Sequence, residues 1–559
     1  MGKVKLLLLL IILIAAILRL WGLGTIPPSP DWDEAALGYN AYSIMQTGRD
    51  EYGKQFPIIL QSFDDYKPAL YAYLTMLPIS LFGFTTFSVR LPSAILGILT
   101  VLAVYFLVEE LFDKWKPKNW ENAFSILALI TSFLLAISPW HIQFSRVAFE
   151  TNAGLAFNIF AVLFFLKGLK KPWFIPFSVV SMVLSLNVYQ SEKIFVPLLA
   201  SALVVIYRKE FFRLPKRYII TSILVGIILL APVVQVILTD KNSLLRAKGV
   251  SIFNEQNEIV HSSQLKYLQD KNSQNLLGQL LHNRRIVYII EVLAGFFSHF
   301  NFNWLFMRGD IARHHAPHMG LLYLWELPFL LYGIYKFLFS DFTRKTKLFL
   351  FSWFLIAPIP ASFTSGVPHA VRTLNFLPTF QIFTAIGVLS AFLYMSENKI
   401  FRKFLSLKIL PFALIFLIVG FNFSYYLDQY FVQQNYFSSE EWQYGYQQAV
   451  AEAKFLENKY QKIIVSNQPP LDQSYIFFLF YLKYPPSMYQ HEDVHNTAGF
   501  RENHAFGKYE FRPINWNKED KNSKILYVGR PNDFPNEDKK FLKVINYLNG
   551  EPAIVIIEG

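Results

Sequence analysis

Apolar residues run along this chain in blocks of roughly 20, not in the alternation of strands or the one-sided repeat of surface helices. Such blocks lie near 6–24, 88–112, 122–139, 152–168, 172–188, 194–207, 217–238, 320–339, 346–362, 374–395 and 408–427. A helix of about that length crosses the ~30 Å hydrocarbon layer of a bilayer. Hydropathy alone leaves two further stretches open. Pro68 to Phe84 contains Pro78, and Ile286 to Trp304 carries Glu291 and His299, with Arg285 just before it. Short cytoplasmic loops collect Lys and Arg, and one extra span would invert every later loop. With Lys3 and Lys5 inside and neither stretch crossing, five basic clusters fall on the cytoplasmic side. They are Lys114/Lys116/Lys118, Lys167/Lys170/Lys171, Arg208/Lys209/Arg213/Lys216/Arg217, Arg344/Lys345/Lys347 and Lys399/Arg402/Lys403/Lys408. The expected topology is therefore eleven spans, with Pro68 to Phe84 lying at the outer interface. The first block reads as an uncleaved signal anchor, because Leu20 to Thr25 offers no small-x-small cleavage site.

After about Asp428 the pattern changes to mixed polar sequence with α/β alternation. A helix is expected over Glu440 to Tyr460, a strand over Lys462 to Val465 and a helix near Gln473 to Leu482, then strands over Ile525 to Val528 and Ala553 to Ile557. By parity this part lies outside. The expected organisation is a multi-spanning α-helical membrane domain over 1–427, with about 11 transmembrane helices and a catalytic first outer loop over 25–87. A small extracytoplasmic α/β domain over 428–559 follows it.

Composition agrees. Of 559 residues, 53% are apolar and 16% charged, where soluble domains carry roughly 25% charged residues. The net charge of +12 is explained by cytoplasmic loops, so it does not call for nucleic acid. The chain has no cysteine, which excludes disulfides, thiolate metal sites and a Cys nucleophile.

The chemistry-bearing residues collect in the outer loops. The first holds Asp31-Trp32-Asp33-Glu34, then Asp50-Glu51 and Asp64-Asp65-Tyr66-Lys67-Pro68, with Arg90-Leu91-Pro92 opening the next span. Later ones hold Trp140-His141, Arg146 and Glu150, then Glu192-Lys193, then Asp310 with His314, His315 and His318, and finally His369 and Arg372. Cations placed outside against the topological bias have a bland use, in ion pairs such as Arg146 with Glu150 or Lys193 with Glu192, or in headgroup contacts. Together with several carboxylates they fit a site that handles a lipid-borne phosphate and does acid/base work.

The ordered trio Asp33-Glu34, Lys67-Pro68 and Arg90-Leu91-Pro92-Ser93-Ala94 resembles the C-superfamily membrane glycosyltransferases. It is similar in particular to the bacterial aminoarabinose transferase and protein O-mannosyltransferase group, a family 39-like pattern covering roughly residues 1–400. The chain departs from that pattern in having Lys67-Pro68-Ala69 for Lys-Pro-Pro, and Glu150 for a second outer-loop Asp. The resemblance implies an enzyme of the cell membrane that moves a hexosyl or pentosyl group from a polyprenyl-phosphate carrier to a lipid, glycan or protein acceptor on the outer face. Its partners would be the bilayer, the lipid-linked donor and an acceptor, with no nucleic acid. It implies Asp33, Glu34 and Glu150 as catalytic carboxylates, Asp33 foremost as base, and Lys67, Arg90, Arg372 and His369 around the carrier phosphate. A helix cap is the competing use for Asp33 or Glu34. A phosphate leaves readily, so neither a general acid nor a metal is required, and no cofactor is expected beyond the lipid-linked donor. The histidines near Asp310 have only a crude metal-ligand spacing. Alternatives are a lipid-linked oligosaccharide ligase or oligosaccharyltransferase, and a lipid or sugar transporter (flippase). A transporter would place its charges at the bilayer midplane, whereas here they gather at one face.

Overall fold

The computed structural model describes residues 2–63, 65–115, 123–239, 249, 251–253, 258–397, 410–492, 503–521, 524–535 and 541–559. Asp64, Lys116 and Lys118, and the cluster of Lys399, Arg402, Lys403 and Lys408, lie outside the described residues. The chain divides into two compact units that are not sequential. The first comprises Met1–Arg19, Ile95–Ser145 and Glu150–Tyr426, and the second Leu20–Ala94, Arg146–Phe149 and Leu427–Gly559. Residues 25–87 and the segment from Leu427 onward both belong to the second unit.

In the first unit each expected span contains a helix, but the helices differ in length. Among the described residues four are long and apolar enough to cross a membrane, namely Thr86–Phe112, Glu150–Lys170, Lys216–Thr239 and Leu374–Met395. Ala123–Ile137 and Pro139–Ser145, bent by 59°, make a fifth if counted as one span. Others are cut short. Arg344–Ile356, for example, has 13 residues, roughly 20 Å at 1.5 Å per residue, and gives way to Pro358 and Pro360.

Proline also explains the bend, since Pro139 has no N–H for the Leu135 carbonyl. The buried Arg19 donates in its place, to Leu135 O (3.3 Å) and Ala136 O (3.0 Å), and contacts His141 Nδ1 at 2.7 Å. Glu326–Phe339 crosses Thr379–Glu397 at a very close approach. A Cβ on Gly333 would stand 1.8 Å from Phe383 O, and one on Gly387 1.9 Å from Phe329 O, so only glycine fits at either position.

Segments that connect the helices meet at two ends of this unit. At one end Lys170 pairs with Glu110 (2.6 Å) and Asp113 (2.9 Å), Thr346 donates to Leu111 O (3.0 Å) and Lys345 pairs with Glu210. At the other, Trp140 N donates to Leu321 O (3.1 Å), Gln143 to Arg313 O (2.7 Å) and Thr151 to Val371 O (2.9 Å). Glu192 is bound by Asn158 and Asn375, each at 2.7 Å, so its partners include amides on two other segments.

In the second unit a hairpin pairs β1 (Ile59–Ser62) with β2 (Asp65–Pro68), Leu60 opposite Lys67. The carboxy-terminal part is a mixed six-stranded sheet built from β3 (Lys462–Val465), β4 (His504–Phe506), β5 (Tyr509–Phe511), β6 (Ile525–Gly529), β7 (Lys543–Asn546) and β8 (Pro552–Glu558). The strand order is β4-β5-β3-β6-β8-β7, with β3 parallel to both β5 and β6. Ile464, Trp516, Tyr527, Phe534, Val555 and Ile557 form a buried cluster on it. The helix Ser474–Leu482 is apolar on all sides, and Phe477 stacks on Tyr446 with centroids 4.2 Å apart.

This part packs on the first outer loop through the helix Trp32–Thr47. A Cβ on Gly38 would lie 2.8 Å from Phe480 and 2.7 Å from Val89. Tyr39 Oη donates to Tyr484 O (3.0 Å), Gln490 Nε2 donates to Asp50 O (2.8 Å), and Ser29 donates to Trp442 O.

Candidate functional site

The sequence places Asp33 and Glu34 side by side, and the structure separates their environments. Both lie in the first turn of Trp32–Thr47, where successive side chains point about 100° apart. The cap of that helix is neither of them. Asp31 is the N-cap, accepting from Glu34 N at 2.8 Å, while Glu34 Oε2 accepts from Asp31 N at 3.3 Å to complete a capping box.

Glu34 is buried against Arg90. Arg90 Nε donates to Oε1 (2.9 Å) and Nη2 to Oε2 (2.8 Å), and Ala148 N donates to Oε1 (2.8 Å). Each carboxylate oxygen therefore accepts two hydrogen bonds. Arg90 is equally committed: Nη1 donates to Leu23 O (3.2 Å) and Pro27 O (2.8 Å), and Nη2 also to Ser29 O (2.7 Å). Its five N–H groups have five acceptors, which leaves none for a phosphate. The pair instead ties the segments 23–29, 31–34 and 146–149 together. In this geometry the donors of Arg90 and the acceptor sites of Glu34 are engaged with each other and with backbone groups.

Asp33 has a different setting. Its carboxylate pairs with the Lys67 ammonium from β2 of the hairpin, and its side chain is 36% exposed against 7% for Lys67. A carboxylate accessible to solvent thus sits on a cation that is itself largely buried.

Deeper in the same loop, Glu51 accepts from Asn40 Nδ2 (2.9 Å), and its backbone N donates to Asn40 Oδ1 (3.0 Å). Burial pushes the Glu51 carboxyl up to about 8, against the Asn40 hydrogen bond, and burial also raises Asp50 to about 6. Arg146 donates to Trp21 O (2.7 Å) and Ile26 O (3.0 Å) and lies over the rings of Tyr430 and Phe431.

Glu150, His369 and Arg372 belong to the first unit. Glu150 opens the helix Glu150–Lys170, where a negative charge suits the helix dipole. Arg372 Nη1 donates to Thr364 Oγ1 (2.6 Å) and Ser365 O (2.7 Å). His369 lies with Asp310 and His314, a grouping that the sequence reading missed, having set Asp310 and His314 beside His315 and His318. One potential ligand atom from each of the three lies within 4.8 Å of the others. Asp310 Oδ2 is 3.1 Å from His314 Nδ1 and accepts from Ala370 N at 2.5 Å. Burial works against ionisation of Asp310, but His314 and the Ala370 amide outweigh it and hold the carboxyl well below the usual carboxylate range. Burial, then the Arg372 charge, pushes the His369 imidazole down, and burial does the same to His314.

Residues 66–235 match the family model of dolichyl-phosphate-mannose-protein mannosyltransferase, so the match includes Lys67 and Arg90. Among solved structures the chain is similar to ArnT from Cupriavidus metallidurans. It is 11% identical to ArnT in the apo state, with a TM-score of 0.52, and 11% identical to ArnT bound to undecaprenyl phosphate, with a TM-score of 0.54. Each comparison covers 98% of this chain and 97% of the other. The likeness to ArnT is one of fold, over almost the whole of both chains. Archaeal oligosaccharyltransferase AglB from Archaeoglobus fulgidus, in complex with an inhibitory peptide and a dolichol-phosphate, matches at 12% identity with a TM-score of 0.49. That match covers 86% of this chain and 63% of AglB. No curated protein matches the sequence. The stretch from Asp33 to Arg90 holds two ion pairs of different character, the buried Glu34–Arg90 pair and the more open Asp33–Lys67 pair.

Proposed function

We propose that this protein is a glycosyltransferase that moves a sugar from a polyprenyl-phosphate carrier to an acceptor hydroxyl or amine at the outer face of the cell membrane. The observation that carries the reading is the Asp33–Lys67 pair, formed between a helix start and a hairpin strand in the first outer loop. The carrier phosphate competes with Asp33 for the Lys67 ammonium. Once Lys67 has moved to the phosphate, the Asp33 carboxylate takes the proton of the acceptor. The acceptor atom bonds to the anomeric carbon as the bond from that carbon to the phosphate oxygen breaks. The electron pair leaves with polyprenyl phosphate, whose added charge Lys67 neutralises. Glu34 and Arg90 hold the loop, and Glu150, His369 and Arg372 carry no step.

The membrane arrangement proposed with it is eleven spans, a cytoplasmic amino terminus and an extracytoplasmic carboxy-terminal domain. It is supported by the one-sided basic loops, whose ends at Lys170 and Lys345 are joined by ion pairs to neighbouring segments at one end of the first unit. The decisive experiment supplies the protein in nanodiscs with polyprenyl-phosphate-linked sugars and native membrane extract as acceptor, and follows the polyprenyl phosphate released. Asp33→Asn should cut release by about 10² or more. Release by wild type no faster than by Asp33→Asn would overturn the proposal.

A further inference from the structure

Two outer loops of the first unit meet at a cluster that the transfer chemistry does not use. Asp310 and His314 come from the turn that contains Ala312–His314, and His369 comes from the loop before Leu374–Phe376. We propose that Asp310, His314 and His369 form a binding site for a divalent metal of the zinc class, which clamps these two loops to each other.

The donor set of two imidazoles and one carboxylate suits zinc, with a fourth position left to water or an anion. The geometry is near what binding needs. Ligand atoms at 2.0–2.1 Å from a tetrahedral zinc stand roughly 3.4 Å apart, and here they lie within 4.8 Å of one another, so side-chain rotations of about an ångström close the site.

The surroundings are those of a held ligand set. Asp310 is oriented by two backbone amides, Ile311 N on Oδ1 (2.9 Å) and Ala370 N on Oδ2. Phe144 packs on the His314 ring, with centroids 5.8 Å apart. His369 N donates to His299 Nε2 (3.2 Å), and the other ring nitrogen of His299, Nδ1, contacts Gly295 O (2.7 Å), which fixes the backbone from which His369 projects. Such outer partners aim metal ligands. One buried polar atom of the set is unsatisfied: His369 Nδ1 has no hydrogen-bond partner among the described residues. Leaving such an atom unsatisfied is costly, and a metal or a water resolves it.

The expected consequence is mechanical. Arg372, three residues beyond His369, is held by Thr364 and Ser365 of the same loop, and anchoring His369 to the loop of Asp310 fixes where that loop stands. The inference does not depend on the transferase reading, and its test needs no substrate.

Chelator-treated protein in detergent is titrated with Co²⁺, whose visible bands report tetrahedral nitrogen and oxygen ligation, and then with Zn²⁺. Wild type should bind one equivalent, with Zn²⁺ displacing Co²⁺ and raising the melting temperature. His369→Ala and His314→Ala should each lower affinity by at least 100-fold and remove the rise, while His261→Ala at an exposed position should behave as wild type. Size-exclusion profiles identify any variant that fails to fold. Absence of a stoichiometric cobalt spectrum in wild type would overturn the proposal whatever the variants do, and so would an unchanged affinity in folded His369→Ala.

Discussion

Replacing Glu34 by Gln should unfold the first outer loop, whereas replacing its neighbour Asp33 by Asn should leave it standing. Glu34 accepts from Arg90 Nε and Ala148 N on one oxygen, and from Arg90 Nη2 and Asp31 N on the other. A Gln amide can keep only one of those oxygens. Whichever way it is turned, its NH2 faces two donors and the buried Arg90 charge loses its counter-ion. Breaking a buried pair from one side costs about 3–5 kcal/mol, because the remaining charge stays in a dry site. The Asp33–Lys67 pair is partly solvated on the Asp33 side, so its loss should cost less than that of the fully buried pair. The assay is unfolding in detergent followed by Trp fluorescence, with limited proteolysis of the segment 48–56 as a local readout. Arg90→Ala and the Glu34→Gln/Arg90→Ala double variant complete a cycle. The double variant should be destabilised by well under the sum of the two, a coupling of several kcal/mol. Additivity within about 0.5 kcal/mol would refute the structural role. So would a Glu34→Gln protein that melts as wild type but has lost activity, and in that case Glu34 would be the base.

Removing the Lys67 charge should weaken polyprenyl phosphate binding by one to two powers of ten, since a charged contact contributes about 1.5–3 kcal/mol, and Lys67→Arg should restore part of it. Equal losses for an ordinary anionic lipid in the same binding assay would count against a carrier-phosphate contact. Glu51, whose carboxyl burial raises to about 8, keeps its proton in the folded state where the unfolded chain has lost it. Stability should therefore be greatest near pH 4.5 and fall by up to about 1.4 kcal/mol per unit towards pH 8, levelling above that. Glu51→Gln should flatten the fall above pH 6 in melting curves and reduce the fall below it to the share of Asp50. Gly387→Val, forced against Phe329 O, should cost at least 1–3 kcal/mol through helix separation, seen as a lower melting temperature and reduced yield of monodisperse protein.

What could be read in advance follows the range of the interactions. The strand Lys462–Val465 and the helix Ser474–Leu482 were legible because each is a local apolar run with clear flanks. The strands His504–Phe506 and Tyr509–Phe511 were not, since three residues are too few to show alternation. The expected helix from Glu440 begins later, at Tyr446, after a series of turns. At the site, residue types and their order pointed to Asp33 and Lys67, which do meet. The same pattern could not tell Asp33 from Glu34, because the difference lies in which side of one helical turn faces Arg90. Nor could it bring His369 to Asp310, whose nearness depends on how intervening helices pack. The cap at Asp31 was within reach, as Asp31-x-x-Glu34 is a capping box in the sequence, but the neighbouring acids drew attention from it.

The order of synthesis gives the second unit an unusual history. Residues 20–94 emerge early, yet Trp442, Tyr484 and Gln490, which complete their packing, emerge only after roughly 330 further residues (95 to 426) have been made. At about 5–20 residues per second that is an interval on the order of tens of seconds. During it the Trp32–Thr47 helix exposes the surface that later meets Phe480. A ribosome that stops short of residue 427 therefore releases a chain whose first outer loop never acquires its supports. The residues after 427 act as a completeness check on residues 20–94, and proteolytic sensitivity of residues 20–94 in nascent or truncated chains is the signature to look for.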